Sequence, residues 1–283
     1  MKKSKKINNH SGFSAGKILI IGNRLLGDSI MSLDAVFSLK KRFPASQFFL
    51  FSPASAIPVY SALDIFSAVI SEQDGAFLEN CRKLAELRAD LAFILPGGFY
   101  YALLCFGARI PLRIGHAGDF RTLLLSGWYK KNQNIYNGEN FLNLLKTLPG
   151  NTEICRKKII PTSAGTKQAG SFLFKNGISG YFMIAPGASE PGKKWPEEYF
   201  MELAGMLIEN CRIKCIVTGS SAENALLERI VSGTGAVPAC GLDLETITAL
   251  LKGAAFLICN NSGLMHLAAK TGTKVFVLNG NSS

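Results

Sequence analysis

Residues 17–28 read Lys17-Ile18-Leu19-Ile20-Ile21-Gly22-Asn23-Arg24-Leu25-Leu26-Gly27-Asp28. The continuous apolar run 18–21 suits a strand buried on both faces of a parallel sheet. It runs directly into a glycine-bearing turn and then an amphipathic stretch over 29–42, which is the opening of a βα unit. Glycines in such a turn let backbone approach a ligand closely. Asp28, near the helix start, reads either as an N-cap or as an exposed carboxylate.

Working outward, the same alternation repeats along the chain. Apolar runs at 47–51, 91–95, 182–185, 214–218, 256–259 and 274–278 read as further strands. Amphipathic stretches at 197–210, 222–231, 244–252 and 263–271 read as helices between them. The pattern predicts an α/β chain with two wound sheets. The segment 161–170, with Pro161, Ser163, Gly165 and Thr166 ahead of an amphipathic stretch, is the expected boundary. It divides the chain into a basic flexible tail (1–16), a first domain (17–165) and a second (166–283).

A chain of 283 residues with 48% hydrophobic and 18% charged residues is that of a folded protein able to bury two cores. Seven cysteines, at 81, 105, 155, 211, 215, 240 and 259, form no C-x-x-C and no zinc-type cluster, which argues for reduced thiols and a cytoplasmic setting. Polar Asn8, Asn9, His10 and Ser11 follow the N-terminal lysines, so the start does not read as a secretory signal. No apolar run is long enough to span a bilayer. The net charge of +11 lies almost entirely in residues 1–165. That half is expected to attract an anion: a phosphorylated substrate, lipid headgroups or nucleic acid. Aromatic-basic interleaving and docking motifs for nucleic acid are missing, so no nucleic-acid partner is expected.

Three further loops carry candidate chemistry. After strand 256–259 come Asn260-Asn261-Ser262-Gly263-Leu264-Met265-His266, where the unpaired amides of a helix N-terminus suit a diphosphate. His266, one turn in, reads either as a ligand contact or as a structural histidine. After strand 182–185 come Pro186-Gly187-Ala188-Ser189-Glu190-Pro191-Gly192-Lys193-Lys194-Trp195-Pro196; adjacent lysines in a Gly/Pro loop resemble a phosphate clamp, and Pro196 starts the next helix as its first residue. After strand 214–218, Glu223 suits ribose hydroxyls or the dipole of the following helix.

In order and spacing, these motifs resemble the ADP-heptose:lipopolysaccharide heptosyltransferase family (glycosyltransferase family 9), above all its heptosyltransferase II branch. The resemblance runs through K-I-L-I-I-G-N-R-L-L-G-D-S-I-M-S, I-L-P-G-G-F-Y-Y-A-L-L-C-F-G-A-R-I-P-L-R-I-G-H, P-G-A-S-E-P-G-K-K-W-P-E-E and N-N-S-G-L-M-H-L-A-A-K-T-G-T, over 171 of 283 residues. It implies an α/β fold of GT-B type, two Rossmann-like domains with parallel sheets facing a cleft, the first binding acceptor and the second the ADP-sugar. It implies inverting transfer of heptose from ADP-heptose to a phosphorylated lipid A core, without metal or cofactor. The enzyme is then expected in the cytoplasm, peripheral at the inner face of the inner membrane. Asp243-Leu244-Glu245 reads as a helix cap rather than a metal motif.

By the same resemblance Asp28 matches the general base and Lys193 the lysine at the diphosphate. Ala188, Ser189, Ser262 and Gly263 match the phosphate cradle, Glu223 the ribose region, Leu242 the adenine pocket and His266 a sugar or phosphate contact. Arg24, Arg113 and Arg121 are candidate contacts to acceptor phosphates, with ordinary surface charge as the competing reading. Asn261 stands where the family usually carries Asp beside the donor sugar, keeping size but not charge. The family continues past the strand at 274–278, so the second domain is expected to be incomplete at its end. The alternative is therefore a shortened, non-catalytic remnant that binds nucleotide sugar or lipopolysaccharide.

Overall fold

The computed structural model describes residues 3–7, 14–61 and 63–278. The chain divides into two compact units, 1–157 and 158–283. The division falls before Pro161, ahead of the expected boundary. Residues 163 onward open a helix of the second unit, because Thr162 caps it: its Oγ1 accepts from Gly165 N–H at 3.0 Å and donates to Glu245 Oε2 at 2.6 Å.

The first unit runs β1 (Ser4–Lys5), β2 (Lys17–Ile21), α1 (Leu26–Arg42), β3 (Gln47–Ser52), α2 (Ile57–Ser61), β4 (Phe66–Ser71), α3 (Phe77–Glu86), β5 (Leu91–Ile94), α4 (Phe99–Gly107), β6 (Leu112–Ala117), β7 (Gly127–Lys130) and α5 (Asn137–Leu144). Its sheet has the order β1-β7-β6-β5-β2-β3-β4, parallel except for β1, which pairs antiparallel with β7. The expected flexible tail is corrected here for residues 3–7. Ser4 and Lys5 lie opposite Tyr129 and Trp128, and Ile7 N–H donates to Thr147 O at 2.9 Å. Residues 1, 2 and 8–13 lie outside the described residues. Strand β2 sits at the centre with Ile18, Leu19, Ile20 and Ile21 fully buried, as its unbroken apolar run requires.

The second unit runs α6 (Ser163–Lys175), β8 (Tyr181–Ala185), α7 (Glu197–Cys211), β9 (Lys214–Gly219), α8 (Asn224–Thr234), β10 (Val237–Cys240), α9 (Leu244–Gly253), β11 (Leu257–Asn260), α10 (Gly263–Thr271) and β12 (Val275–Leu278). Its sheet is parallel, in the order β10-β9-β8-β11-β12. Pro196 sits at the N-cap of α7, one residue before the position expected for it. Asp243 caps α9, its Oδ1 accepting from Thr246 N–H at 2.8 Å, as the sequence predicts.

Both sheets reverse direction once. In the first unit the chain builds β2, β3 and β4 outward, then returns to the other side of β2 with β5. In the second it builds β8, β9 and β10, then returns beside β8 with β11. Such reversals open a crevice at the carboxyl ends of the two central strands, where α/β sheets hold ligands.

Candidate functional site

In the second unit every donor-side motif falls on that carboxyl edge. Leu242 follows β10, Glu223 follows β9, Ala188, Ser189 and Lys193 follow β8, and Asn261, Ser262 and Gly263 follow β11. With strands about 4.8 Å apart, the three intervals from β10 to β11 span about 14 Å.

Asn260 organises the edge. It is fully buried at the end of β11; its Nδ2 donates to Pro186 O at 2.6 Å and its Oδ1 accepts from Trp195 N–H at 3.0 Å. One amide therefore clasps both ends of the 186–195 loop. Within the loop Lys193 Nζ pairs with Glu190 Oε1 at 2.6 Å. Beyond the clasp, Asn261 is exposed and half-buried Ser262 is the N-cap residue of α10. The buried Ser262 Oγ makes no protein hydrogen bond, and it does not cap the helix amides. The α10 N-terminus thus keeps its amide donors, with the favourable end of the helix dipole. His266 is half-buried one turn further on.

Glu223 turns out to have a local duty. Its Oε2 accepts from Ser220 N–H and Ser220 Oγ, both at 2.8 Å, fixing the turn after β9. Its Oε1 occupies the space that a side chain on Gly187 would need, so Gly187 lets the β8 and β9 loops touch. Gly241, at φ +62°, makes the next link, its N–H donating to Gly219 O at 3.0 Å, and sets half-buried Leu242. Behind these loops a cavity of about 450 Å³ opens, lined by Trp195, Phe200, Glu223, Leu226 and Arg229 among others.

In the first unit the edge is built around Gly22. A Cβ there would stand 2.6 Å from Ser52 Oγ and 2.9 Å from the Tyr60 ring, so only glycine allows this approach. Fully buried Tyr60 accepts from Asn23 N–H at 3.0 Å and bonds Ser32 Oγ at 3.1 Å. Asn23 Nδ2 then donates to the Asp28 carbonyl at 3.1 Å. Leu25, not Asp28, is the N-cap of α1. The half-buried Asp28 carboxylate instead receives Asn137 Nδ2 on its Oδ1 at 2.8 Å.

The three candidate arginines part company. Arg24 pairs with Glu72 at 3.5 Å and Asp74 at 3.3 Å, and Tyr101 donates to the same Glu72 carboxylate at 2.9 Å. Burial above all pushes the Tyr101 hydroxyl up to about 12. Arg113 is committed to the fold: it donates to the carbonyls of Leu124 at 2.6 Å, Pro111 at 3.1 Å and also Ile110, and lies over the Phe106 ring. Burial lowers its pKa. These bonds brace β6, so a phosphate would have to compete with them for Arg113. Arg121 donates to the His116 carbonyl at 2.8 Å and the Ala117 carbonyl at 3.2 Å. A Cβ on Gly97, after β5, would stand 3.3 Å from Arg121 Nη1, so this cation reaches the central crevice. Sequence reasoning missed Asn137, Tyr60 and the clasp role of Asn260. Tyr60 and Asn137 lie 32 and 109 residues from Asp28, with no local motif to join them.

Among the described residues no three His, Cys, Asp or Glu side chains gather as a metal site. The six cysteines with described side chains are free thiols, and no described helix is long and apolar enough to cross a membrane.

Two α/β units with mainly parallel sheets and crevices at their switch points form a chain of GT-B architecture. The structure superposes on that of the E. coli ADP-heptose lipopolysaccharide heptosyltransferase II with a TM-score of 0.81 and 25% identity, over 94% of this chain and 86% of the other. In sequence the chain is 27% identical to lipopolysaccharide heptosyltransferase 2 of Salmonella typhimurium, covering 94% of this chain and 83% of that one. It is 29% identical to lipooligosaccharide heptosyltransferase 2 of Haemophilus ducreyi, covering 89% and 79%. The profile of glycosyltransferase family 9 (heptosyltransferase) matches residues 78–283, and the chain belongs to that family.

Proposed function

We propose that the protein transfers heptose from ADP-heptose to the inner core of lipopolysaccharide, with inversion at the anomeric carbon. The observation that carries the donor side is the single carboxyl edge of the second unit. There Leu242, Glu223, the clasped 186–195 loop and the α10 N-terminus follow one another in the order adenine, ribose, diphosphate. Ser262 Oγ, buried and without a protein partner, supplies a hydroxyl for a phosphate oxygen. Ala188, Ser189 and Gly263 complete the cradle, and Asn261 and His266 lie toward the sugar.

The reaction forms a bond between the acceptor oxygen and the anomeric carbon and breaks the bond from that carbon to the ADP phosphate oxygen. The hydroxyl proton passes to Asp28 as general base. Negative charge grows on the departing ADP, and Lys193 with the α10 amides is the electrostatic partner for it. Lys193 must first leave Glu190. The acceptor, a phosphorylated lipid A core, is a polyanion suited to the basic first unit, with Arg121 as the arginine best disposed toward it. We also assign the protein to the inner-membrane surface. Lys3, Lys5 and Lys6 attract an anionic leaflet, and Phe120 and Leu123, 78% and 83% exposed on either side of Arg121, suit its boundary.

The test is turnover with ADP-heptose and defined core acceptors, read by product mass. The wild-type chain is expected to add one heptose, and Asp28→Asn to abolish the addition while ADP affinity persists. Binding of ADP-heptose without product by the wild-type chain would overturn the transferase reading. Full turnover by Asp28→Asn would remove the base.

A further inference from the structure

The group that touches the Asp28 carboxylate comes from the far end of the first unit. Asn137 Nδ2 donates to Asp28 Oδ1 at 2.8 Å, and no described residue donates to Oδ2. The function proposed above makes no use of Asn137, yet the surrounding structure builds its position with care.

The loop that delivers it is locked by buried Asn140, whose Oδ1 accepts from Asn132 N–H and whose Nδ2 donates to Asn132 O, both at 2.9 Å. Gly138 leaves room at the start of α5 for the Tyr136 ring, 2.5 Å from where a Cβ would stand, and brings the backbone close to α1, the Met31 carbonyl oxygen lying 3.3 Å from the same point. Arg156 ties the two helices, reaching Glu139 on α5 at 2.8 Å and Asp34 on α1 at 3.8 Å. The surroundings thus fix the backbone at Asn137, and its side chain is left to meet Asp28.

Its side chain is poorly suited to a stabilising role. The Asn137 Oδ1 atom is buried without a hydrogen-bond partner. Truncating the side chain relieves that unpaired acceptor but also strips the half-buried Asp28 Oδ1 of its donor, so the two effects on stability oppose each other. What the asparagine contributes is the N–H aimed at Asp28.

We infer that Asn137 is the positioning residue for Asp28. Its amide fixes Oδ1 and leaves Oδ2 as the oxygen that takes the acceptor proton. This inference rests on the reading of Asp28 as the base, and the experiment separates the two.

Three variants are assayed for kcat, KM, ADP affinity and melting temperature: Asn137→Ala, Asn137→Asp, and Asn137→Ala combined with Asp28→Asn. Asn137→Ala is expected to lower kcat by about 10- to 100-fold, the usual effect of losing an orienting partner. ADP affinity stays the same, and any fall in melting temperature is modest, since the lost bond to Asp28 is offset by relief of the unpaired acceptor. Asn137→Asp keeps the shape but has no N–H, and it loses at least as much. On the Asp28→Asn background the residual turnover, read by product mass after long incubation at high enzyme concentration, is not lowered further by the alanine change, because it acts through the carboxylate. The inference is overturned by Asn137→Ala or Asn137→Asp turning over at the wild-type rate, or by an undiminished effect in the double variant. With Asp28→Asn inactive and Asn137→Ala fully active, only the positioning role falls; full turnover by Asp28→Asn brings down both.

Discussion

Replacing Asn260 by alanine removes the clasp that holds both ends of the 186–195 loop. Its two partners respond differently. The Pro186 carbonyl is buried and loses its donor, which costs about 1–3 kcal/mol; the Trp195 N–H is half-buried, regains water, and loses about 1 kcal/mol. The expected destabilisation of the second unit is therefore about 2–4 kcal/mol. In the surviving folded protein the loop has to be reordered by the ligand. If about 1–3 kcal/mol of ordering is transferred to the binding step, ADP affinity falls by about 5- to 150-fold. Trp195 reports the unit directly: with the other tryptophan, Trp128, replaced by phenylalanine, urea unfolding followed by fluorescence isolates the second unit. Calorimetric titration with ADP gives the affinity. Asn260→Asp is the sharper control, since it keeps the acceptor for Trp195 but turns an oxygen toward the Pro186 carbonyl at a fully buried position. It should be at least as damaging as alanine. A wild-type midpoint and wild-type ADP affinity in Asn260→Ala would refute the clasp, and a stability loss with unaltered ADP affinity would detach the loop from nucleotide binding.

Two further outcomes follow from charges already described. On the proposed role of Lys193, its 2.6 Å ion pair with Glu190 competes with a diphosphate. Glu190→Gln should therefore tighten ADP by about two- to five-fold, as expected for losing an exposed pair, whereas Lys193→Ala weakens it; calorimetry showing looser binding in Glu190→Gln would contradict the competition. His116 is buried in β6, and burial, with the nearby Lys131 and Arg121, lowers its pKa from the ordinary 6.5 to about 4. The unfolded chain then binds a proton that the folded one refuses between those values, so stability falls as pH drops from about 6.5 to about 4. The loss is about 3 kcal/mol at the acid end. Urea midpoints at pH 7.5 and pH 4.5 should show this slope reduced in His116→Leu; the same slope in both proteins would exclude the histidine as its source.

The legible part of the fold was the part buried on both faces. Residues 18–21 and 182–185 announce themselves as strands because each is an unbroken apolar run at the middle of a parallel sheet, and 215–217 forms a shorter run of the same kind. Three strands that were not legible carry polar, exposed or proline residues. The strand Phe66–Ser71 is mostly exposed, Leu112–Ala117 contains Arg113 and His116, and Val237–Cys240 carries Pro238, which an edge position tolerates. Helix α4, Phe-Tyr-Tyr-Ala-Leu-Leu-Cys-Phe-Gly, is apolar all round and has no period to read. For the site, loops after strands could be located because βα units put them at one edge. What a polar side chain does there could not be read. Arg113 looks like surface charge in sequence, yet it braces carbonyls and covers Phe106. Glu223 matches both of its readings in position, but only coordinates reveal that Ser220 already holds one of its oxygens. The partnership of Asn137 with Asp28 depends on helices α1 and α5 meeting, which no local pattern encodes.

The two-residue strand β1 has a bearing on how this protein behaves in the tube. By lying antiparallel on β7 it occupies the hydrogen-bonding rim that would otherwise be offered to a neighbouring molecule, and Lys5 adds a like-charge deterrent to stacking. Shortening the chain past Ile7, or fusing a bulky tag close to Ser4, therefore bares that rim and favours self-association in a protein whose catalytic parts are untouched.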